Sequence, residues 1–152
     1  MFLIRVTQAF EEAELPYALV GGYAVALHGA VRGTIDVDII ISLKLQDFEK
    51  AEDILTNIHL QPKLPIHASE LFKHRKAYMD EKNLIAWSFV NPHNPMECVD
   101  IIITEDLIGK QIVRKQVGNH SIQVLDKIDL ITMKKKASRA QDLEDIKALE
   151  SL

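Results

Sequence analysis

The sequence predicts an α+β (α/β) fold, a small mixed β-sheet with helices packed on it and a helical pair at the C-terminal end. Three observations point there. Short, β-branched apolar runs bounded by turn residues recur through the first 125 positions, with 34–42 and 84–103 the clearest. Two segments, 2–14 and 46–58, instead repeat their apolar residues at helical spacing. Beyond residue 126 only helical pattern remains. The chain has 152 residues, 47% of them hydrophobic, which suits one domain over 1–152 with a core at 1–125 and C-terminal helices at 126–152.

Each element follows from local chemistry. In 2–14, Phe2, Leu3, Val6, Phe10 and Ala13 share one helix face, and Leu15-Pro16 ends the helix because the residue before proline is biased out of helical geometry. The apolar run 17–20 reads as a short buried strand. A glycine pair then opens an alanine-rich helix, 22–30. His28 lies near its end, where capping carbonyls is favoured over touching a substrate. Residues 34–42 form a β-branched strand. In 46–58, Phe48, Ala51, Ile54 and Leu55 fall on one side of a helix. Two prolines make 61–66 a loop or edge strand, and 69–76 fits either a short helix or a turn. Strands 84–90 and 96–103 flank Asn91-Pro92-His93-Asn94-Pro95 and form a hairpin. The polar, mixed stretch 104–117 reads as one helix or a helix-like connection. Gly118-Asn119 is a turn and 121–125 a short strand. Asp126 caps a helix over 128–137, Ser138 interrupts, and 142–152 is a last helix with Leu143, Ile146 and Leu149 inward.

Composition narrows the classes. The formal charge of −4 gives no general attraction to nucleic acid or to an anionic membrane. A single cysteine, Cys98, allows no intrachain disulfide; it reads as a small buried residue and fits a reducing cytoplasm. Arg5, Glu11 and Glu12 break up the N-terminal segment, so it is not a signal peptide. No apolar run approaches the ~20 residues of a membrane span. A cytoplasmic chain without membrane contact is the expectation. His67, His74 and His93 lack metal-ligand spacing and read as surface histidines.

The chemistry concentrates in residues 21–41, GGYAVALHGAVRGTIDVDIII. Side chains alternate faces along a strand, so Thr34, Asp36 and Asp38 project together. Adjacent carboxylates repel, and a divalent cation relieves that repulsion while gaining oxygen ligands. Gly21-Gly22 lets backbone N–H groups approach a phosphate closely at a helix start. Taken singly, a glycine pair or an Asp-x-Asp is more often structural; the joint pattern, with Arg32 and Thr34 between, is far more specific. Asp100 interrupts a Val-Ile run, and a lone buried carboxylate is costly unless paired or metal-bound. It is therefore the candidate third metal carboxylate, with Glu97 its competitor on the opposite strand face.

This segment resembles the signature of the nucleotidyltransferase superfamily to which DNA polymerase β belongs: a glycine pair or Gly-Ser, a short helix, then Asp-x-Asp. The form GGYAVALHG..R.T.DVDI looks most like the small nucleotidyltransferase proteins related to the AbiEii toxins of type IV toxin–antitoxin systems, and aminoglycoside nucleotidyltransferases share a similar core. The resemblance implies a nucleotidyltransferase fold and a third acidic residue on a neighbouring strand, which Asp100 fits. It further implies nucleotide contacts at Gly21, Gly22, Arg32 and Thr34. Gly22 stands where the broader superfamily often has serine, so any phosphate contact there is through backbone.

The only dense basic run is Lys134-Lys135-Lys136-Ala137-Ser138-Arg139. By composition it is a solvated helix face. The segment from Leu130 to Asp145 also resembles, more loosely, the C-terminal motifs of the AbiEii-like families. That resemblance implies that Lys134 contacts the nucleotide triphosphate, that Arg139 bridges helices, and that Asp142 and Asp145 hold Lys134 or Arg139. Asp142 and Asp145 lie at i, i+3 and share a helix face, so a structural ion pair with Arg139 accounts for them nearly as well.

The expected activity is Mg²⁺-dependent transfer of a nucleoside monophosphate from a nucleoside triphosphate to an acceptor hydroxyl. Asp36, Asp38 and Asp100 would serve as catalytic and metal residues for one or two ions. RNA or tRNA, a protein and a small molecule are all consistent acceptors. At this length the chain is expected to lack the large extra helical domain of bigger AbiEii toxins, so recognition would use a small surface or a partner chain such as an antitoxin; a homodimer is also consistent with its size. The rival from another class is a catalytically degenerate, nucleotidyltransferase-fold binding protein. A nuclease on the same carboxylates would have no need of the glycine pair.

Overall fold

A computed structural model describes residues 1–152. The chain runs α1 (Phe2–Glu12), β1 (Ala18–Val20), α2 (Gly21–Leu27), β2 (Val37–Ile40), α3 (Leu45–Asn57), β3 (Gln61–Pro62), α4 (Ala68–Lys73), α5 (Arg75–Lys82), β4 (Ala86–Asn91), β5 (Asn94–Ile102), β6 (Ile112–Val117), β7 (His120–Leu125), α6 (Lys127–Ala137) and α7 (Ala140–Glu150). The strands form one seven-stranded sheet in the order β3-β4-β5-β2-β1-β7-β6. The β2–β5 and β1–β7 pairs are parallel and the others antiparallel, so the sheet is mixed as expected.

One cluster of 33 buried residues forms the core. Its aromatic part fixes which sheet face is covered. Trp87 of β4 stacks on Phe48 of α3 at 5.8 Å and meets Phe89 edge-on at 4.7 Å, while Phe72 of α4 meets Phe48 at 5.9 Å. Trp87 and Phe89 therefore point toward α3 and α4. Strand alternation turns Ala86 and Ser88 to the other face, where Cys98 and Asp100 of β5 also lie. α1 presents Leu3, Val6 and Phe10 to the core, and Phe10 packs on Tyr17 at 5.6 Å.

The helices α1 and α3, the β4–β5 hairpin and strand β7 stand where the sequence places them. So does the Asp126 cap, whose carboxylate accepts the Ile128 N–H at 3.0 Å. The proline-bearing β3 is one sheet edge and β6 the other.

Four expectations need correction. The stretch 104–117 holds no helix. It is a loop followed by β6, which pairs with β7 about Gly118-Asn119. β6 alternates exposed and half-buried residues; an edge strand needs only one apolar face, so its sequence looked polar. The strand expected over 34–42 is regular only at Val37–Ile40. Its partner β1 ends at Val20, which pairs with Asp38, so residues 34–36 have no strand beside them on that side. α2 is likewise shorter than 22–30. In the last helix Ile146 and Leu149 are buried but Leu143 is 51% exposed, because the buried stripe of α7 runs through Asp142, Asp145, Ile146 and Leu149. The undecided stretch 69–76 spans two short helices, of which α5 buries nothing and stops at Asn83 in the left-handed region (φ 53).

Candidate active site

β2 is central, so its residues meet neighbours on both sides. Asp38 pairs with Val20 of β1 on one side and stands directly opposite Asp100 of β5 on the other. Directly opposed residues on adjacent strands point to the same face, so the two carboxylates share one patch of sheet. Asp36 sits two residues before Asp38, exposed and outside the regular strand. Burial pushes the Asp38 carboxyl up to about 7, and the charges of Asp100 and Asp36 add to the shift. The pair is thus crowded with negative charge in a partly dry setting. Ser88, opposite Asp100 on β4, donates its hydroxyl to Asp100 Oδ1 at 2.5 Å, and the Cys98 thiol lies 3.8 Å from the same oxygen. Burial and the Asp100 charge push that thiol up to about 11, so Cys98 stays protonated and is no nucleophile.

The glycine pair has a steric cause. A Cβ on Gly21 would lie 1.9 Å from Asp38 Oδ2, and Gly21 has φ +69°, where side chains are strained. A Cβ on Gly22 would lie 2.7 Å from both Cβ and Oγ1 of Thr34 and 3.2 Å from Arg32 Cζ. The backbone at the start of α2 is therefore pressed against Asp38 on one side and the 32–34 segment on the other.

The C-terminal motif joins this patch. Arg32 Nε donates to Asp145 Oδ1 at 2.9 Å, and Lys134 Nζ donates to Asp145 Oδ2 at 2.9 Å with Asp142 Oδ1 at 3.6 Å. One carboxylate on α7 thus holds two cations, one from the loop after α2 and one from α6. Gln141 adds a third bond to Asp145 at 3.0 Å. Lys134, Asp142 and Asp145 are all buried, at 6%, 2% and 2% exposure, and a buried ammonium needs such partners. Burial alone would raise both aspartates; hydrogen bonds from Lys134 and Arg32 outweigh it at Asp145, those from Arg139 at Asp142, and both carboxyls end below the usual range. Arg139 does not bridge helices: its side chain bonds Asp142, three residues on, at 2.7 and 3.3 Å. Lys134 makes the interhelical link instead. The Lys134 charge also acts on Asp38, so residues nearly a hundred positions apart share one site.

Of the other candidates, Glu97 is engaged by Arg5 at 2.6 Å and Asn91 at 2.9 Å, away from Asp38. His28 Nε2 lies 2.8 Å from the Leu125 carbonyl, tying α2 to β7. His67 pairs with Glu52.

Three carboxylates with only oxygen donors suit a hard cation such as Mg²⁺. No three His, Cys, Asp or Glu side chains converge as a ready-made cage. A tight pair with a third carboxylate nearby matches an ion that keeps its waters and binds through one or two carboxylates plus substrate phosphates. On donor chemistry and charge, the residues fit the metal.

Ser88 was not visible in the sequence. The hairpin register shifts between Val90 and Asn91; counting outward from the Asn91–Asn94 pair without the shift would place Ile85 opposite Asp100.

No family model matches the chain, and no curated protein matches it significantly. Solved structures do. The lincosamide antibiotic adenylyltransferase LnuA, lincomycin-bound, superposes with TM-score 0.66 at 18% identity over 99% of this chain and 95% of that one. The antibiotic-resistance factor ANT(2'')-Ia gives TM-score 0.66 at 10% identity over 97% and 80%. An antigenic nucleotidyltransferase-like protein from Paracoccidioides brasiliensis gives 0.60 at 14% over 97% and 73%. These likenesses show that the chain has the nucleotidyltransferase fold. No helix is long and apolar enough to cross a membrane.

Proposed function

We propose that this chain is a metal-dependent nucleotidyltransferase, moving a nucleoside monophosphate from a nucleoside triphosphate to an acceptor hydroxyl. The observation that carries the reading is the Asp38–Asp100 pair, in register on adjacent strands with Asp36 beside it and the Gly21 backbone against Asp38. Asp36, Asp38 and Asp100 would hold Mg²⁺, which when bound would neutralise the triphosphate and the charge developing on the attacking and leaving oxygens. The backbone at Gly21 and Gly22 packs against Asp38 and Thr34, so a phosphate held by the Asp38 metal would lie beside the start of α2 and the Thr34 hydroxyl. Arg32 and Lys134, fixed in place by Asp145, supply positive charge near the triphosphate; Arg32 is the more accessible, since Lys134 is enclosed by two aspartates.

In the transfer, the acceptor oxygen forms a bond to the α-phosphorus as the α–β phosphoanhydride bond breaks and pyrophosphate leaves. Asp100 takes the hydroxyl proton. Ser88 donates to Asp100 Oδ1 and so orients the carboxylate. Asp142 acts at one remove, through its contact with Lys134 across the α6–α7 junction, and Arg139 by holding Asp142.

The similar folds have names that support the donor chemistry. LnuA is an adenylyltransferase of lincosamides, and ANT(2'')-Ia has been seen with adenylyl-2''-tobramycin. They favour ATP as donor and a small molecule as acceptor over tRNA or protein. The AbiEii-like form of both motifs supports a second reading, a toxin paired with an antitoxin in the cytoplasm. Growth arrest on induced expression, lost in Asp38→Ala, is its test. The transferase reading itself is tested by incubating the chain with Mg²⁺, α-labelled NTPs and mixed acceptors. Label transfer that vanishes in Asp38→Ala is expected. Unchanged transfer in that variant would end the assignment.

A further inference from the structure

One groove runs along the outer edge of β4 and reaches Ser88, the residue that bonds the third carboxylate. It has a volume of about 230 Å³ and is lined chiefly by apolar side chains, among them Leu64, Leu84, Ala86 and Trp87, with Ser88 and Lys63 as its polar members. Ser88 both lines the groove and donates to Asp100 at 2.5 Å. Ala86 lies two residues from Ser88 on β4 and so on the same sheet face. The Lys63 backbone N–H donates to the Ser88 carbonyl at 2.9 Å, which holds the segment after β3 along the groove. A molecule seated there would end within one residue of the group assigned to take the acceptor's proton.

We propose that this groove is the acceptor pocket, and that it takes a small, uncharged or anionic hydroxyl compound with an apolar ring or chain rather than a polycation. The inference rests on the transferase reading and names the substrate class of that same site. Its charge carries the argument. No acidic residue lines the groove, and its single charged member, Lys63, makes no ion pair anywhere in the chain. A compound with several ammonium groups would meet Lys63 and apolar wall with no carboxylate to receive it. Asp38 and Asp100 are committed to metal and proton transfer. An apolar body gains by covering Leu84 and Ala86, and by covering Leu64, which is 52% exposed at the rim. An anionic group would sit on Lys63. The volume falls just below the about 300 Å³ at which drug-sized pockets begin, which suits one ring system and not a polymer. The acceptor hydroxyl would then face Asp100, lose its proton there, and bond to the α-phosphorus as pyrophosphate departs.

The test begins without nucleotide. The aromatic anion 1-anilinonaphthalene-8-sulfonate is titrated into the full chain. Saturable one-to-one binding is expected, weakened at least tenfold by Leu64→Glu and by Ala86→Glu and severalfold by Lys63→Glu. Leu143→Glu, at an exposed apolar position elsewhere, leaves it unchanged. Leu64 is solvent-exposed, so its variant folds even if Ala86→Glu does not. Binding indifferent to Leu64→Glu and Lys63→Glu overturns the proposal. With donor and Mg²⁺ added, a neutral aromatic alcohol is expected to be labelled in preference to tobramycin, and Lys63→Glu to shift that ratio at least tenfold toward the polycation. Preferential labelling of tobramycin, a tRNA or a protein by the native chain overturns it as well. Loss of donor binding in a Mg²⁺–NTP titration would instead strike the transferase reading and leave the probe result standing.

Discussion

Replacing Asp38 by asparagine should make the metal-free protein more stable while abolishing its activity. The magnitude follows from the site. Asp38 is raised from 3.8 to about 7 by burial, then by the charges of Asp100 and Asp36. A carboxyl with a raised folded-state value binds its proton more tightly in the folded protein. Its contribution is fully present below about pH 4 and is lost as pH climbs to about 7. Three units at about 1.4 kcal/mol each set a ceiling of roughly 4 kcal/mol for the cost of the charge above pH 7. Relaxation and retained hydration at a half-buried site reduce the expected gain to about 1–3 kcal/mol, a rise in Tm of roughly 3–10 °C for a chain of this size. The assay is thermal unfolding in EDTA at pH 8.0 and pH 4.5, native beside Asp38→Asn. The gain should be large at pH 8.0 and mostly gone at pH 4.5. A variant no more stable than the native chain at pH 8.0, or equally favoured at both pH values, would refute the view of Asp38 as a desolvated, crowded carboxylate.

Other expectations follow from the same geometry. Gly21→Ala forces a Cβ to within 1.9 Å of Asp38 Oδ2 at φ +69°, so it should cost about 1–3 kcal/mol in strain and remove any nucleotide-induced rise in Tm, read in one melting series. Asp145→Ala strips Lys134 of its 2.9 Å partner and frees Arg32; about 3–5 kcal/mol of stability should go in urea unfolding, since a buried ammonium loses its main partner. Asp142 and Asp145 are held below the usual carboxylate range, so the stability they supply is present above about pH 4 and lost as pH falls through their folded-state values; Asp145→Asn should flatten the fall in Tm between pH 5 and pH 2.5. Ser88→Ala should lower kcat about tenfold with KM for the NTP unchanged, because it leaves Asp100 unoriented without touching the donor; an unchanged kcat would remove Ser88 from the account.

Much of this fold was legible because local chemistry and tertiary context agree. Phe2–Glu12 and Leu45–Asn57 are amphipathic helices in the sequence and in the sheet they cover. Asp126 caps a helix where a cap was expected. The stretch 104–117 reads as helical for a physical reason: β6 is an edge strand with a solvated face, so Arg114, Lys115 and Gln116 mask its period of two. Leu143 reads as inward because apolar residues default to the core, whereas α7 buries two aspartates to hold Lys134. The carboxylate face was legible at Asp38 and Asp100, since a charge inside a Val-Ile run needs a reason. Alternation places Asp36 on the same strand face, but the strand is not regular that far. The contacts of Ser88 with Asp100 and of Arg32 with Asp145 depend on a register shift and on a fold closing across more than a hundred residues. Neither is written in local pattern.

The most direct test of the central claim is thermal unfolding of the purified chain with each of the four NTPs, with and without Mg²⁺, beside the Asp36→Ala, Asp38→Ala double variant. A ligand that binds only the folded state at a hundred times its Kd adds about 2.7 kcal/mol. A rise in Tm is expected with at least one NTP, one that requires Mg²⁺ and disappears in the double variant. No rise with any NTP, or a rise that survives loss of both carboxylates, would contradict that claim.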